Sequence, residues 1–183
     1  MEFLGKVVPG VTDVVPKSIG KKETLEFRQL VGGNRSAWRF PAENMSDGTL
    51  RALGLLAALF QTGTAGPPRV PFVGIEEPET AVHPGAAGVL RDALRTASAS
   101  TQVVLTSHSP DLLDDKSVSD DQILAVASLN GDTQIGPVDP VGRSIMRDRL
   151  YTAGELLRQG QLQPDPDRLD GTPAAQLELF GDR

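Results

Sequence analysis

Two apolar runs end in chemistry-bearing residues, and this pairing constrains the chain more than any other feature. Val73-Gly74-Ile75-Glu76-Glu77-Pro78-Glu79 is a short apolar stretch that stops in carboxylates. Downstream, Val103-Val104-Leu105-Thr106 stops in Ser107-His108-Ser109-Pro110. Between them, Val89, Leu90, Ala93, Leu94 and Ala97 recur at helical spacing, with Pro84 suited to a first turn, which predicts a helix over 84–98. Strands over 70–75 and 102–106 with a helix between them form a parallel crossover. Both strand tips then meet at the carboxyl edge of one sheet, where open α/β sheets place their chemistry.

The surrounding pattern predicts an α/β fold: a mostly parallel sheet flanked by helices, with a small antiparallel β element at the N-terminus. Val7-Val8-Pro9-Gly10-Val11 and Thr24-Leu25-Glu26-Phe27 are the strand candidates there, and Gly32-Gly33-Asn34-Arg35 reads as a turn. Ser46 is a good N-cap for a helix running through Leu50–Phe60 and stopping near Gly63, before a Gly66-Pro67-Pro68 loop. That helix is apolar on nearly every side, so deep burial is expected. After a short helical turn at 111–114, Ile123–Ala127 and Thr133–Ile135 read as a hairpin across Asn130-Gly131. Residues 1–140 are expected to form the main domain and 141–160 a short helical extension. Residues 161–183, rich in Pro, Asp, Gln and Gly, read as a disordered tail in which Leu177-Glu178-Leu179-Phe180 is a candidate docking peptide.

Composition narrows the chemistry. The net charge of −6 is uneven: residues 1–51 hold eight Lys/Arg against six Asp/Glu, and the acidic excess lies beyond them. Nucleic-acid binding over the whole surface is disfavoured, while a local basic face near the N-terminus leaves room for DNA. With no cysteine, disulfides, thiolate catalysis and Cys-based zinc sites are excluded, and a cytoplasmic setting fits. The longest apolar stretch, Ala52–Phe60, is nine residues and too short to span a bilayer, and the N-terminus lacks a signal pattern.

The strand-tip acids suit a divalent ion such as magnesium, which accepts one or two protein carboxylates when phosphates supply the remaining oxygens. Glu76 is placed as the ligand, and Glu77, facing the other way, could polarise a water. The plainer alternative is a solvated acidic loop. His108 suits a phosphate or water contact, against a capping or loop role. His83 reads as a loop residue. A transition-metal site from Glu76, Glu79, His83 and His108 is disfavoured, because Pro78 and Pro84 break the helix that would bring Glu79 and His83 together. Ser46, Asp47 and Gly48 open a helix whose free N–H groups bind anions, unless they form an ordinary cap.

Taken in order, these segments resemble the C-terminal half of an ABC-type or AAA ATPase head of the SMC/RecF-like and OLD-like kind, within the P-loop NTPase fold. Met45-Ser46-Asp47-Gly48-Thr49-Leu50-Arg51 is similar to the signature motif. Phe72-Val73-Gly74-Ile75-Glu76-Glu77 resembles the Walker B strand, Pro78–Pro84 stands where the D-loop would be, and Val103–Pro110 resembles the switch-histidine strand. The resemblance covers residues 1–140. It implies an ATPase using ATP and Mg2+, with Glu76 holding magnesium through water, Glu77 as general base and His108 at the γ-phosphate. Ser46, Asp47 and Gly48 would meet a nucleotide bound to a second, head-to-tail protomer.

The chain departs from the family pattern in one respect: it contains no Gly-x-x-x-x-Gly-Lys-Ser/Thr run, and Gly20-Lys21-Lys22 does not make one. It is therefore expected to be the C-terminal part of a longer ATPase, or to need a partner that bears Walker A. The alternative function is a non-catalytic module that completes or regulates a partner ATPase. An OLD-like nuclease ranks below both, since 141–183 is short and poor in strand-end acids.

Overall fold

The structure is a computed structural model and describes residues 2–32, 36–61, 70–129 and 131–168. Gly33, Asn34 and Arg35 of the expected turn lie outside the described residues, as do Gly63, the Gly66-Pro67-Pro68 loop, Asn130 and the Leu177–Phe180 segment. The chain divides into two compact units, Met1–Leu112 and Leu113–Arg183.

The first unit opens with a helix, α1 (Glu2–Val7), where a strand from Val7 was expected. Leu4 buries into the core, and Phe3 stacks on Phe60 with ring centroids 5.4 Å apart. These tertiary contacts outweigh the β preference of Val7 and Val8. The chain then turns at Gly10, whose φ of 89° is open to glycine, and whose missing Cβ would lie 2.8 Å from the Leu30 carbonyl oxygen. Strand β1 (Val11–Ile19) pairs antiparallel with β2 (Lys22–Gln29) across the two-residue turn Gly20-Lys21, and β2 pairs antiparallel with β3 (Trp38–Pro41). Phe27 on β2 is fully buried, in a core shared with Leu4, Val11, Leu56 and Ala93.

Helix α2 (Asp47–Leu59) follows. The expected deep burial is corrected here: Thr49, Ala52, Leu56 and Leu59 form one buried stripe, while Gly54 and Ala57 face solvent. Among the described residues, the first unit covers the helix on one side only. Strand β4 (Phe72–Glu76) pairs in parallel with β5 (Gln102–Thr106) through helix α3 (Ala87–Ser98), which presents Ala87, Leu90, Ala93, Leu94 and Ala97 to the core. Pro84 begins a 3-10 turn that leads into α3.

Burial along both strands alternates. Val73, Ile75, Val103 and Leu105 turn toward the helices, while Phe72 and Val104 remain about half exposed at 52% and 51%. The predicted fully buried strands are thus half-buried, because one face of the parallel pair has no layer over it among the described residues. The α/β class and the parallel crossover stand. Parallel pairing among the described residues is confined to β4 and β5.

Helix α4 (Pro110–Leu113) lies at the division between the units. The second unit contains the antiparallel hairpin β6 (Leu124–Leu129) and β7 (Asp132–Pro137), then α5 (Pro140–Arg147) and α6 (Ala153–Arg158). Its core is Ile123, Val138, Met146, Ala153 and Leu156. Asp139 caps α5 by accepting the Val141 and Gly142 N–H groups, and Thr152 with Glu155 forms a reciprocal capping box on α6. The segment read as the start of a tail packs at Leu162, Pro164 and Asp165. Pro164 bridges to Val138, the Asp165 N–H donates to the Pro137 carbonyl at 2.8 Å, and Arg143 pairs with the buried Asp165 carboxylate at 2.8 Å. Apolar periodicity could not show this, because backbone and polar bonds hold the segment beside an apolar contact from Leu162.

Candidate functional site

The strand-tip site rests on the β4–β5 pairing, whose register sets Glu76 opposite Thr106. Pairing continues one step further, with the Glu77 N–H donating to the Thr106 carbonyl at 3.0 Å. Glu77 then leaves the strand in the left-handed region, at φ 43° and ψ 59°. Pro78 disfavours the right-handed helical conformation for the residue before it, and the left-handed one costs a non-glycine residue about 1–3 kcal/mol. The strain is held by local bonds. The Glu77 carbonyl accepts both the Thr80 N–H at 3.1 Å and the Thr80 hydroxyl at 2.9 Å. Pro78 itself is buried. The turn aims the Glu77 side chain at the neighbouring tip, where its Oε1 lies 3.8 Å from His108 Nε2.

Both groups are open to solvent: His108 is 89% exposed and Glu77 45%. The Glu76 carboxylate is exposed at the end of β4 and makes no hydrogen bond or ion pair within the described residues. Uncommitted oxygens of this kind fit a magnesium ion that takes its other ligands from phosphate and water. No group of three or more His, Asp or Glu gathers to hold a metal among the described residues. His83 accepts the Gly85 N–H on Nδ1 at 3.1 Å, a local turn contact.

Sequence reasoning placed Glu79 in the turn but missed its partners. Glu79 Oε1 accepts the Ser107 hydroxyl at 2.8 Å and the His108 N–H at 3.0 Å. A carboxylate three residues past one strand tip, with a serine at the next, is the available signal in the sequence.

The third segment is the start of α2. Ser46 caps α2, its Oγ accepting the Thr49 N–H at 3.2 Å. The Asp47 and Gly48 N–H groups carry no hydrogen bond among the described residues, which suits an anion. The Asp47 carboxylate is exposed at the same helix end and opposes a second negative charge there. No hydrogen bond or ion pair joins Ser46, Asp47 or Gly48 to Glu76, Glu77 or His108 among the described residues. The structure thus brings Glu77 and His108 together, keeps Glu76 beside them along the same strand end, and ties the α2 terminus to none of the three by a hydrogen bond or ion pair among the described residues.

Known structures share this fold. One, from work on ATP-driven dimerization and DNA-stimulated activation of SMC ATPases, aligns with a TM-score of 0.56 at 14% identity, covering 81% of this chain and 86% of that one. A second, an Smc head domain with coiled coil and joint derived from Pyrococcus yayanosii, aligns with a TM-score of 0.53 at 18% identity, covering 82% of this chain and 28% of that one. No curated protein matches the sequence. No helix among the described residues is long and apolar enough to cross a membrane. Residues 21–114 match the family model described as "AAA domain, putative AbiEii toxin, Type IV TA system", and that match takes in just over half of the chain, from the β1–β2 turn through the histidine loop: the chain belongs to this AAA domain family.

Proposed function

We propose that this chain supplies the catalytic-carboxylate and signature portion of an ATP-hydrolysing head. The observation that carries the reading is the 3.8 Å approach of His108 to a strained Glu77 at the carboxyl edge of a parallel strand pair. Glu77 acts as general base, taking the proton of the attacking water, and its left-handed turn holds the carboxylate out into solvent where that water arrives. Glu76 offers the one carboxylate that magnesium needs. His108, with an exposed ring, donates to the γ-phosphate side of the nucleotide. ATP and magnesium, when bound, supply the phosphoryl group and its charge compensation.

The free N–H groups of Asp47 and Gly48, with Ser46, complete a nucleotide site on a second protomer. The fold shared with ATP-driven SMC dimers supports this arrangement. Substitution of Glu77 by Gln in the complete head tests the reading, with hydrolysis lost and ATP binding kept. Undiminished turnover would remove Glu77 from its role.

A second reading has its own support. The 183 residues contain no phosphate-cradling Gly-x-x-x-x-Gly-Lys-Ser/Thr run, which favours a non-catalytic module that completes a partner ATPase. Mixing the chain with a Walker A-bearing partner separates the two. Under the first reading, hydrolysis depends on this chain's Glu77. Under the second, the Glu77 variant stimulates as well as the wild type.

A further inference from the structure

The proposed chemistry uses Glu76, Glu77 and His108 and leaves Glu79 without a part. Glu79 sits in the 3-10 turn Pro78–Ala81 that follows the strand tip. Its Oε1 accepts two bonds from the neighbouring loop, the Ser107 hydroxyl at 2.8 Å and the His108 N–H at 3.0 Å. While its O–H donates to Glu79, the Ser107 oxygen accepts the Ser109 N–H at 3.0 Å. Ser109 Oγ accepts the Leu112 N–H at 3.3 Å, and Leu112 is 3% exposed in the core. A line of hydrogen bonds thus runs from the acidic turn to the short helix that carries the buried Leu112. The backbone of His108 is tied at both sides, although its ring is almost free. Glu79 Oε2 is buried and finds no donor among the described residues, so the carboxylate's interactions in this chain are concentrated on the histidine loop.

We propose that Glu79 is the positioning residue for His108, resting on the ATPase reading above. A bond from an N–H or O–H to a carboxylate is charge-assisted and stronger than a neutral one. With the loop pinned this way, only the two side-chain torsions of His108 remain to be set. The imidazole then stays within reach of Glu77 and of a phosphate at the same edge. Glu79 touches neither substrate nor the reacting atoms. It couples the carboxylate turn to the histidine loop, so the two catalytic groups keep one mutual distance.

The test compares wild type, Glu79→Gln and Glu79→Ala in the full chain. NMR hydrogen exchange is read at the His108 and Ser109 amides, with the β5 amides as reference. The Ala variant is expected to speed exchange at His108 about tenfold or more, the scale of a lost charge-assisted bond. The Gln variant keeps an acceptor and falls between the two. Unchanged exchange at His108 in the Ala variant overturns the proposal, and so does an equal loss of protection along β5, which would mark general unfolding.

A second measurement uses the chain with a Walker A-bearing partner. Glu79→Ala is expected to lower kcat about tenfold while KM for ATP stays within about threefold, and Glu79→Gln to retain most of kcat. Equal activity of Ala and wild type overturns the positioning role. If wild type itself hydrolyses no ATP in that mixture, the ATPase reading falls, and the exchange data alone decide whether Glu79 holds the His108 loop.

Discussion

His108 Nε2 stands 3.8 Å from Glu77 Oε1, and it is the backbone that brings them to this distance. The β4–β5 register, carried past the strand by the Glu77 N–H to Thr106 bond, sets the two tips level. The left-handed turn at Glu77 then directs its carboxylate across the gap. Neither side chain is buried, so the pair is open to solvent.

In the complete head, Glu77→Gln is expected to reduce ATP hydrolysis by about 10²–10⁴-fold, the usual contribution of a general base. The amide keeps the shape and loses the proton affinity. Binding of ATP should remain near wild type by calorimetry, and a loss of binding equal to the loss of turnover would point to a misfolded turn instead.

The isolated 183 residues are expected to bind Mg-ATP weakly or not at all, because the backbone cradle and lysine that grip the phosphates in P-loop proteins are absent from this sequence. Micromolar binding in a titration of the chain alone would show that another part of it holds the nucleotide.

Ser46→Arg is expected to block ATP-driven association while leaving the fold intact. The residue is exposed at the start of α2, where a long side chain would fill the space in front of the Asp47 and Gly48 N–H groups. Loss of the cap itself costs about 1 kcal/mol, too little to unfold the unit. Melting temperature and ATP-dependent mass, measured together in the complete head, separate the outcomes. An unimpaired dimer would leave Ser46 as a cap only.

In the second unit, Arg147 forks onto the buried Asp120 with bonds of 3.0 and 2.7 Å. The hydrogen bonds and charge of Arg147 hold the Asp120 carboxyl below its ordinary range, against the opposing effect of burial. A depressed folded-state pKa contributes stability that is present above the unfolded value, about 3.9, and lost as pH falls through the lower folded value. Melting curves from pH 6 to pH 2 are expected to show an acid-side loss attributable to Asp120. Asp120→Asn should lower stability at pH 6 and flatten that part of the acid dependence. A variant with the same pH profile as wild type would exclude the pair as its source.

Gly142→Ala is expected to destabilise the second unit by about 1 kcal/mol or more, the scale of a lost cap. Alanine is ordinarily the better residue within a helix by about that amount. Here the added Cβ would meet Val138 Cγ1 at 2.8 Å and the capping Asp139 Oδ2 at 2.9 Å, so the sign reverses. Chemical denaturation of the full chain, followed by a probe in the second unit, gives the answer, and a gain in stability would show that the cap yields without cost.

Much of this protein was legible in its sequence where the signal is periodic or chemically punctuated. The α3 stripe of Leu90, Ala93, Leu94 and Ala97, the Ser46 cap and the parallel strand pair were expected and are present. Each is set by local geometry, through a helical repeat, a short polar side chain beside free N–H groups, or an apolar run between turns. The acidic and histidine strand tips were legible for the same reason.

Tertiary structure alone decided what depends on residues far apart. Val7 prefers a strand, yet it ends a helix because Leu4 and Phe3 find partners on other elements. The apolar circumference of α2 suggested burial all round, but coverage depends on how many neighbours surround a helix, and here there is one covered side. Gln161–Arg168 looked like a tail because Arg143 and the backbone bonds to Pro137 and Asp139 lie well upstream in the chain. The hold of Glu79 on Ser107 and His108 belongs to the same class. Sequence supplied the acidic and histidine side chains, and the parallel register decided which of them meet, since a hydrogen bond across 28 residues has no periodic trace in the chain.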